Sequence, residues 1–240
     1  DPYRSIRQAK YLSWCDESKM IYKAIYQDEP VLVFLPIQVR SIIYDSDSIE
    51  IDFKNLFGKR VLCNTIDYLG WVTGSSWENI DITKLYDECT VKLAAEKPGI
   101  LIVHNDFHYE NLFISEGSYK ILDLYDVGPG SIFADVVRLQ VSLIYNAFLK
   151  GNVDEVIRNI ITWLHGDRTE SQFWDMLFSI TDKMKYPFKY VPSKSEYLLT
   201  FLQEAIMQAY YSICSYRPVP ACWEKLIKKI VDYYYEIAVL

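Results

Sequence analysis

The stretch that decides how this chain folds runs from His104 to Asn111 and reads H-N-D-F-H-Y-E-N. Asp123 follows it twelve residues later. An apolar run, Ile100 to Val103, comes immediately before it, and two strand patterns, Leu112–Ile114 and Tyr119–Leu122, flank a Glu-Gly turn between Asn111 and Asp123. A hairpin brings the outer ends of its strands together, so we expect Asn111 and Asp123 to lie close to each other.

The spacing H-x-D-x-x-x-x-N, then a hairpin, then Asp is typical of phosphoryl-transfer enzymes. Asp106 is the predicted catalytic base, because a reacting hydroxyl needs a carboxylate that can accept or orient its proton. The amide oxygen of Asn111 and the carboxylate of Asp123 are hard ligands suited to Mg²⁺. Bound Mg²⁺ would neutralise charge on the transferred phosphoryl group.

Four further side chains in or near this loop are also assigned roles. His104 and His108 are predicted to support the catalytic loop by hydrogen bonding, and a position near the substrate is an alternative for His108. Zinc ligation by the pair is a further alternative, without an obvious third ligand. Asp126 is predicted either to reach the substrate or a second metal ion, or to hydrogen-bond its own loop. Asp135 is predicted to be a buried carboxylate that ties the following helix to the catalytic loop.

Composition narrows the class of protein. The chain has 240 residues, of which 50% are hydrophobic and 24% charged, as in ordinary globular proteins. Its net charge of −7 disfavours nucleic acid and anionic membranes as partners, and no protein partner is evident. Five cysteines without C-x-x-C spacing indicate reduced thiols, and neither a signal peptide nor an 18-residue apolar run is present. We therefore expect a cytoplasmic protein.

The remaining patterns predict an α+β chain whose last hundred residues are helical. Two strands, Met20–Tyr26 and Val31–Ile37, are predicted to form a hairpin, and Gly128-Pro129-Gly130 is predicted to be a tight loop. The predicted helices span residues 3–15, 82–96, 132–149, 153–164, 170–185, 194–215 and 220–238.

These motifs resemble the aminoglycoside phosphotransferase and choline kinase-like family. Its pattern runs H-G-D-x-H-x-x-N, then I-D-x-x-D-x-G-x-G, then a helix carrying Asp; here residues 122–130 read L-D-L-Y-D-V-G-P-G and the helix carries Asp135. The resemblance implies a protein-kinase-like two-lobed fold, ATP or GTP as co-substrate, Mg²⁺ and a small hydroxylated acceptor. It also implies Asp106 as base and Asn111 and Asp123 as metal ligands.

The resemblance divides the chain unevenly. Residues 1–37 would be the remnant of the small N-terminal lobe and hinge, with Phe34, Leu35 and Ile37 at the nucleotide base. Residues 38–240 would form the large, mostly helical lobe with the catalytic hairpin and the substrate region. No Gly-rich phosphate loop precedes the first hairpin, and Lys23 is only a weak candidate for the phosphate-binding lysine. Either the first strands of the small lobe lie upstream of residue 1, or this lobe is degenerate.

Two functions follow from these observations. The leading hypothesis is a small-molecule kinase that transfers the γ-phosphoryl group of ATP or GTP to a hydroxyl of an aminoglycoside-, choline- or sugar-like acceptor. The alternative is a catalytically impaired, nucleotide-binding pseudokinase or interaction module, which the missing lysine and Gly-rich loop favour. A protein kinase is disfavoured, because D-L-Y at residues 123–125 is not D-F-G.

Overall fold

The computed structural model of the protein describes residues 21–26, 29–34, 84, 88, 100–115, 118–151, 153–169, 171–179, 181, 193–214 and 220–238. Within them the fold is α+β, with three two-stranded antiparallel sheets and five α-helices. The predicted helix 3–15 lies outside the described residues. Of the predicted helix 82–96, Lys84 and Glu88 are described; both are helical, and Lys84 Nζ lies 3.9 Å from Glu88 Oε1.

The first hairpin consists of β1, Ile21–Tyr26, and β2, Glu29–Phe34, paired from Ile21 opposite Phe34 to Tyr26 opposite Glu29. The sequence correctly predicted this hairpin, but β2 begins at Glu29 rather than at Val31. Pro30 is therefore part of the strand, which Pro tolerates at an edge because its missing N–H need not join the ladder.

The second pair joins β3, Ile100–Val103, to β6, Gly128–Ser131. The prediction of a tight loop at Gly128-Pro129-Gly130 was wrong, since these residues pair with β3 from Val103 opposite Gly128 to Ile100 opposite Ser131. A Cβ on Gly130 would collide with Val103 Cγ2 and lie 2.7 Å from Asn105 Oδ1. Glycine is needed here for close approach of two backbones, rather than for a turn.

The third pair is the catalytic hairpin, formed by β4, Leu112–Ser115, and β5, Ser118–Ile121. Leu112 lies opposite Ile121, and both side chains pack partly buried against the core. The hairpin and its bounds are as the alternating pattern predicted, to within one residue at each end. It brings the segment after Ile121 beside the segment before Leu112.

The helices are α1, Ala134–Leu149; α2, Val153–Leu164; α3, Gln172–Phe178; α4, Lys194–Cys214; and α5, Pro220–Ala238. The sequence predicted four of them closely. Of the helix predicted over 170–185, α3 covers Gln172–Phe178, and Ser179 then forms a turn in which its Oγ donates to the carbonyl of Met176 at 3.1 Å. Serine hydroxyls compete with backbone donors in this way and favour helix ends. Thr181 is helical again, and residues 170, 180 and 182–185 lie outside the described residues.

The core lies where the helices pack on one another. Helix α4 contacts both α1 and α5, and α2 contacts α1, α3 and α5. Aromatic rings also pair between helices: Phe148 of α1 meets Trp223 of α5 with ring centroids 5.0 Å apart, and Trp163 of α2 stacks on Phe178 of α3 at 4.7 Å. In the described part of the chain, none of the helices combines the length and apolarity needed to span a membrane.

Candidate active site

The first two residues of the catalytic loop are fixed by helix α1. The Asp135 carboxylate, in the first turn of this helix, accepts the backbone N–H of His104 at 3.0 Å and of Asn105 at 3.1 Å. Asp135 is buried, with 4% of its surface exposed. The prediction of a buried carboxylate that ties this helix to the loop is confirmed.

His104 fixes the loop to the catalytic hairpin. Its buried ring accepts the backbone N–H of Asp106 at Nδ1, at 3.3 Å, and donates from Nε2 to the carbonyl of Leu122 at 2.8 Å. Both ring nitrogens are therefore occupied within the protein, and the zinc alternative is wrong for this residue. Because Leu122 precedes Asp123, the same ring positions both the predicted base and a predicted metal ligand.

Asn105 stands where the family pattern has glycine, and its backbone is in a conformation that favours glycine. Its φ of 66° is left-handed, which Asn tolerates better than most residues. Its Nδ2 donates to the carbonyl of Asp126 at 2.9 Å. The substitution of Gly by Asn thus adds a link between the catalytic loop and the turn that follows Asp123.

The loop alternates buried anchors with accessible polar groups. Phe107 is completely buried, and its ring makes an edge contact with His104. The side chains of Asp106 and His108, on either side of it, are 29% and 21% exposed. Phe107 therefore anchors the loop in the core while its neighbours face solvent.

Asn111 and Asp123 lie at the open end of the catalytic hairpin. The N–H of Leu122 donates to the carbonyl of Asn111 at 2.9 Å, which extends the ladder and places Asp123 one residue beyond the pair. Asn111 Nδ2 donates to the carbonyl of Asp106 at 2.9 Å, so its Oδ1 is left for a ligand. Asp123 is exposed, with a left-handed φ of 51°.

This pair has the donor chemistry that Mg²⁺ prefers, one amide oxygen and one carboxylate. Among the described residues, no three His, Cys, Asp or Glu side chains converge as a metal cluster. The assignment of Asn111 and Asp123 to a metal ion stays a prediction.

Two exposed apolar side chains lie on the hairpin close in sequence to Asn111 and Asp123. Phe113 is in β4, and Leu122, whose N–H bonds to the Asn111 carbonyl, directly precedes Asp123. Phe113 is 58% exposed and Leu122 is 45% exposed. An open apolar surface of this kind adjoins the predicted metal ligands.

The Asp106 carboxylate is held by a residue that the sequence analysis did not single out. Arg138, on α1, donates from Nε at 3.0 Å and from Nη2 at 2.7 Å, both to Asp106 Oδ1. The other oxygen, Oδ2, lies 3.4 Å from Asn111 Nδ2 and 3.6 Å from His108 Nε2. One carboxylate oxygen thus accepts both donors of Arg138, and the other lies beside Asn111 and His108.

Arg138 also reaches helix α4. Its Nη1 donates to Glu204 Oε2 at 3.0 Å, so one guanidinium bridges two carboxylates. A signal for Arg138 was present in the sequence: it and Asp135 are the only charged residues within α1, three positions apart. Residues at that spacing share a helix face, so the two face the catalytic loop together.

These contacts set the charge of Asp106. His108 beside it and the Arg138 guanidinium hold the pKa of the Asp106 carboxyl well below its usual range, although partial burial opposes them. Burial lowers the pKa of Arg138, but Glu204 and Asp106 outweigh it, so the pKa is raised overall. Asp106 is therefore ionised at neutral pH.

Asp126 takes part in the loop through its backbone rather than through its side chain. Asp126 offers its backbone carbonyl to Asn105, which is a loop hydrogen bond, while its side chain is exposed. The role of Asp126 toward the substrate or a second metal ion stays a prediction.

Of the predicted hinge residues, Phe34 is the last residue of β2, and Leu35 and Ile37 lie outside the described residues. Strand β1 contacts helix α3, and the hinge assignment is not tested by this contact.

A cavity of about 790 Å³ opens between α2, α3 and the start of α4. Phe133, Trp163 and Tyr197 contribute to its wall. Among the described residues, the lining includes neither Asp106 nor the predicted metal ligands. The cavity is thus separate from the catalytic loop.

The catalytic loop and the catalytic hairpin lie in a segment that matches a known protein family. Residues 70–174, a little under half of the chain, match the model of the phosphotransferase enzyme family (APH). This segment is therefore similar to the phosphotransferase enzyme family, and the resemblance inferred from the motifs is confirmed. The matched residues include Asp106, Asn111, Asp123 and Arg138 but not Glu204. Comparisons with curated proteins and with solved structures found no match.

Proposed function

We propose that this phosphotransferase is a small-molecule kinase, which transfers the γ-phosphoryl group of ATP or GTP to a hydroxyl of a small acceptor. The observation that carries the proposal is the arrangement at Asp106. Its Oδ1 is fixed by two donors of Arg138, while Oδ2 lies on the side of Asn111. A partly exposed, ionised carboxylate is thereby oriented beside the proposed metal ligands.

Asp106 orients the acceptor hydroxyl through Oδ2 and accepts its proton as the new O–P bond forms. The low pKa makes Asp106 a weak base, so its main contribution is positioning rather than early proton removal. The hydroxyl oxygen attacks phosphorus, the bond to the β–γ bridging oxygen breaks, and the nucleoside diphosphate leaves. Loss of such a carboxylate typically costs about 10²–10⁴-fold in rate.

Asn111 and Asp123 would hold Mg²⁺ through the Asn111 amide oxygen and the Asp123 carboxylate. Bound Mg²⁺ supplies charge neutralisation for the phosphate oxygens. His104 supports this arrangement, since its hydrogen bonds to Asp106 and Leu122 join the base and the hairpin end.

The nucleotide base has two proposed contact regions. One is the exposed apolar face of the catalytic hairpin at Phe113 and Leu122, which offers apolar contact to a planar base beside the metal ligands. The other is the proposed hinge at Phe34, Leu35 and Ile37. The side of Oδ2 remains for the acceptor, whose class we propose as aminoglycoside-, choline- or sugar-like.

The experiment is a screen of hydroxylated amines, sugars and nucleosides for phosphorylation by the full chain with Mg²⁺ and ATP or GTP. Asp106→Ala should reduce turnover by about 10²-fold or more, while nucleotide affinity changes little. Glu155→Gln is the control, because Glu155 is exposed on α2 and lies outside the catalytic loop and hairpin. Its turnover should equal that of the wild type.

The same experiment separates the enzyme from a nucleotide-binding pseudokinase. A pseudokinase would bind nucleotide but phosphorylate none of the acceptors, and Asp106→Ala would leave its residual nucleotide consumption unchanged. That result would contradict the proposed function.

A further inference from the structure

Arg138 binds a second carboxylate besides that of Asp106, and this is Glu204 of helix α4. Glu204 lies outside residues 70–174, which match the family model. Glu204 accepts Arg138 Nη1 at 3.0 Å, and the side chains are 19% and 14% exposed respectively. Their contact lies where α1 and α4 pack on each other. The ion pair is therefore largely shielded from solvent, where charge-assisted hydrogen bonds hold their geometry best.

The planar geometry of the guanidinium group explains how Glu204 affects the orientation of the Asp106 carboxylate. The group is planar, and its donors point in fixed directions. A carboxylate that holds Nη1 fixes the rotation of the plane and leaves the edge formed by Nε and Nη2 for the second partner. Both of these donors contact Asp106 Oδ1, at 3.0 and 2.7 Å.

We propose that Glu204 is a positioning residue for phosphoryl transfer, which acts through Arg138 to orient the Asp106 carboxylate. This inference rests on the proposed function. Glu204 contacts the base only through the arginine, and its own charge is already paired. Helix α4 thereby becomes part of the catalytic machinery, so that the packing of α4 on α1 sets the direction in which Asp106 Oδ2 points.

A direct role in binding a cationic acceptor is the competing explanation for Glu204. The two differ in the kinetic parameter that responds. A positioning residue affects kcat, because misplacement of a reacting group by about 1 Å can cost about 10²-fold in rate. A residue that binds the acceptor equally in the ground and transition states affects KM.

The first test compares Glu204→Ala and Glu204→Gln in the full chain, with Glu155→Gln on the exposed surface of α2 as control. We expect Glu204→Ala to lower kcat by between about 10- and 100-fold, with acceptor KM within about twofold of the wild type. Glu204→Gln retains an oxygen for Nη1 and should recover most of this loss. An unchanged kcat, or a change confined to acceptor KM, would overturn the inference.

The second test is a double-mutant cycle with Arg138→Met, which keeps the aliphatic stem of the arginine. If Glu204 acts through Arg138, Glu204→Ala should have no further effect on kcat once Arg138 is replaced. An effect of full size in that background would overturn the inference, because the two residues would then act independently.

A third measurement needs no turnover. The effects of Asp106→Asn and Glu204→Gln on the free energy of unfolding should be non-additive in the wild-type background and additive with Arg138→Met. Additive effects in both backgrounds would overturn the inference. Absence of phosphorylation in every acceptor assay, with this coupling intact, would contradict only the proposed function.

Discussion

At the scale of single residues, the site depends on two positions that fit each other in size, Asn105 and Gly130. Asn105 occupies a left-handed position, where its side chain projects over β6 and bonds to Asp126. Gly130 on β6 leaves the space that this side chain and Val103 fill. The asparagine in place of the family glycine is therefore matched by a glycine on the neighbouring strand.

Gly130→Ala should destabilise the protein by about 1–3 kcal/mol, the usual cost of a methyl group forced into a packed site. The added Cβ would meet Val103 Cγ2 and Asn105 Oδ1. Urea denaturation of the wild type and the variant measures the difference. In a Val103→Ala background, Gly130→Ala should lower the free energy of unfolding by less, because one of the two close contacts is gone. An equal cost in both backgrounds would contradict this steric explanation.

The ion pair at Asp106 predicts a pH dependence of stability. The pKa of Asp106 is lowered in the folded protein relative to about 3.9 in the unfolded chain. Its contribution to stability is therefore fully present above this unfolded value and is lost as the pH falls toward the folded value. Asp106→Asn removes this contribution.

The difference in unfolding free energy between the wild type and Asp106→Asn should be constant from pH 5 to 7 and narrow progressively below about pH 4. Urea titrations at each pH measure it, with Glu155→Gln as a surface control. A difference that grows on acidification would show that His108 and Arg138 do not stabilise the ionised carboxylate.

At the scale of elements, the sequence predicted what local patterns determine. Alternating apolar residues predicted the catalytic hairpin, and helical spacing predicted α1, α2, α4 and α5. Prediction from the sequence failed where contacts between residues far apart in the chain determine the structure. Strand β6 looked like a turn because Gly and Pro usually mark turns, and only its pairing with β3, 25 or more residues upstream, makes it a strand. Glu204 could not be assigned either, since its partner Arg138 is 66 positions away.

The link between α1 and the catalytic loop gives a prediction at this scale. In Asp135→Asn the single amide oxygen can accept only one of the two N–H groups, and the other faces an NH₂ donor. A buried donor left without a partner costs about 1–3 kcal/mol, so we expect a loss of about 2 kcal/mol. Hydrogen exchange of the backbone amides of His104 and Asn105 should be faster in Asp135→Asn than in the wild type. Asp232→Asn, on the exposed face of α5, is the control.

If the exchange of these two amides is unchanged in Asp135→Asn, the helix does not hold the loop through this carboxylate. The measurement is specific, because the two N–H groups bond to the two different oxygens of one side chain. A general loss of stability would instead accelerate amides throughout the core.

At the scale of the whole molecule, the proposed catalytic groups come from separate parts of the chain. The loop supplies Asp106, and the hairpin supplies Asn111 and Asp123. Helix α1 fixes the loop through Asp135 and the base through Arg138, and α4 reaches the same arginine through Glu204. Ligand binding at the hairpin end should therefore stabilise the whole helical assembly.

Mg²⁺ together with a non-hydrolysable nucleotide should raise the thermal midpoint of the full chain. Binding to the folded state alone contributes about 2.7 kcal/mol at a ligand concentration 100 times Kd. Asn111→Ala and Asp123→Ala should lose the Mg²⁺-dependent part of this shift, because each removes one of the two proposed oxygen ligands. Asp106→Asn should keep it, since the base is not a ligand in this arrangement. Differential scanning fluorimetry with and without Mg²⁺ measures each shift. An unmoved midpoint in the wild type would contradict nucleotide binding, and a full shift in Asp123→Ala would contradict the metal site.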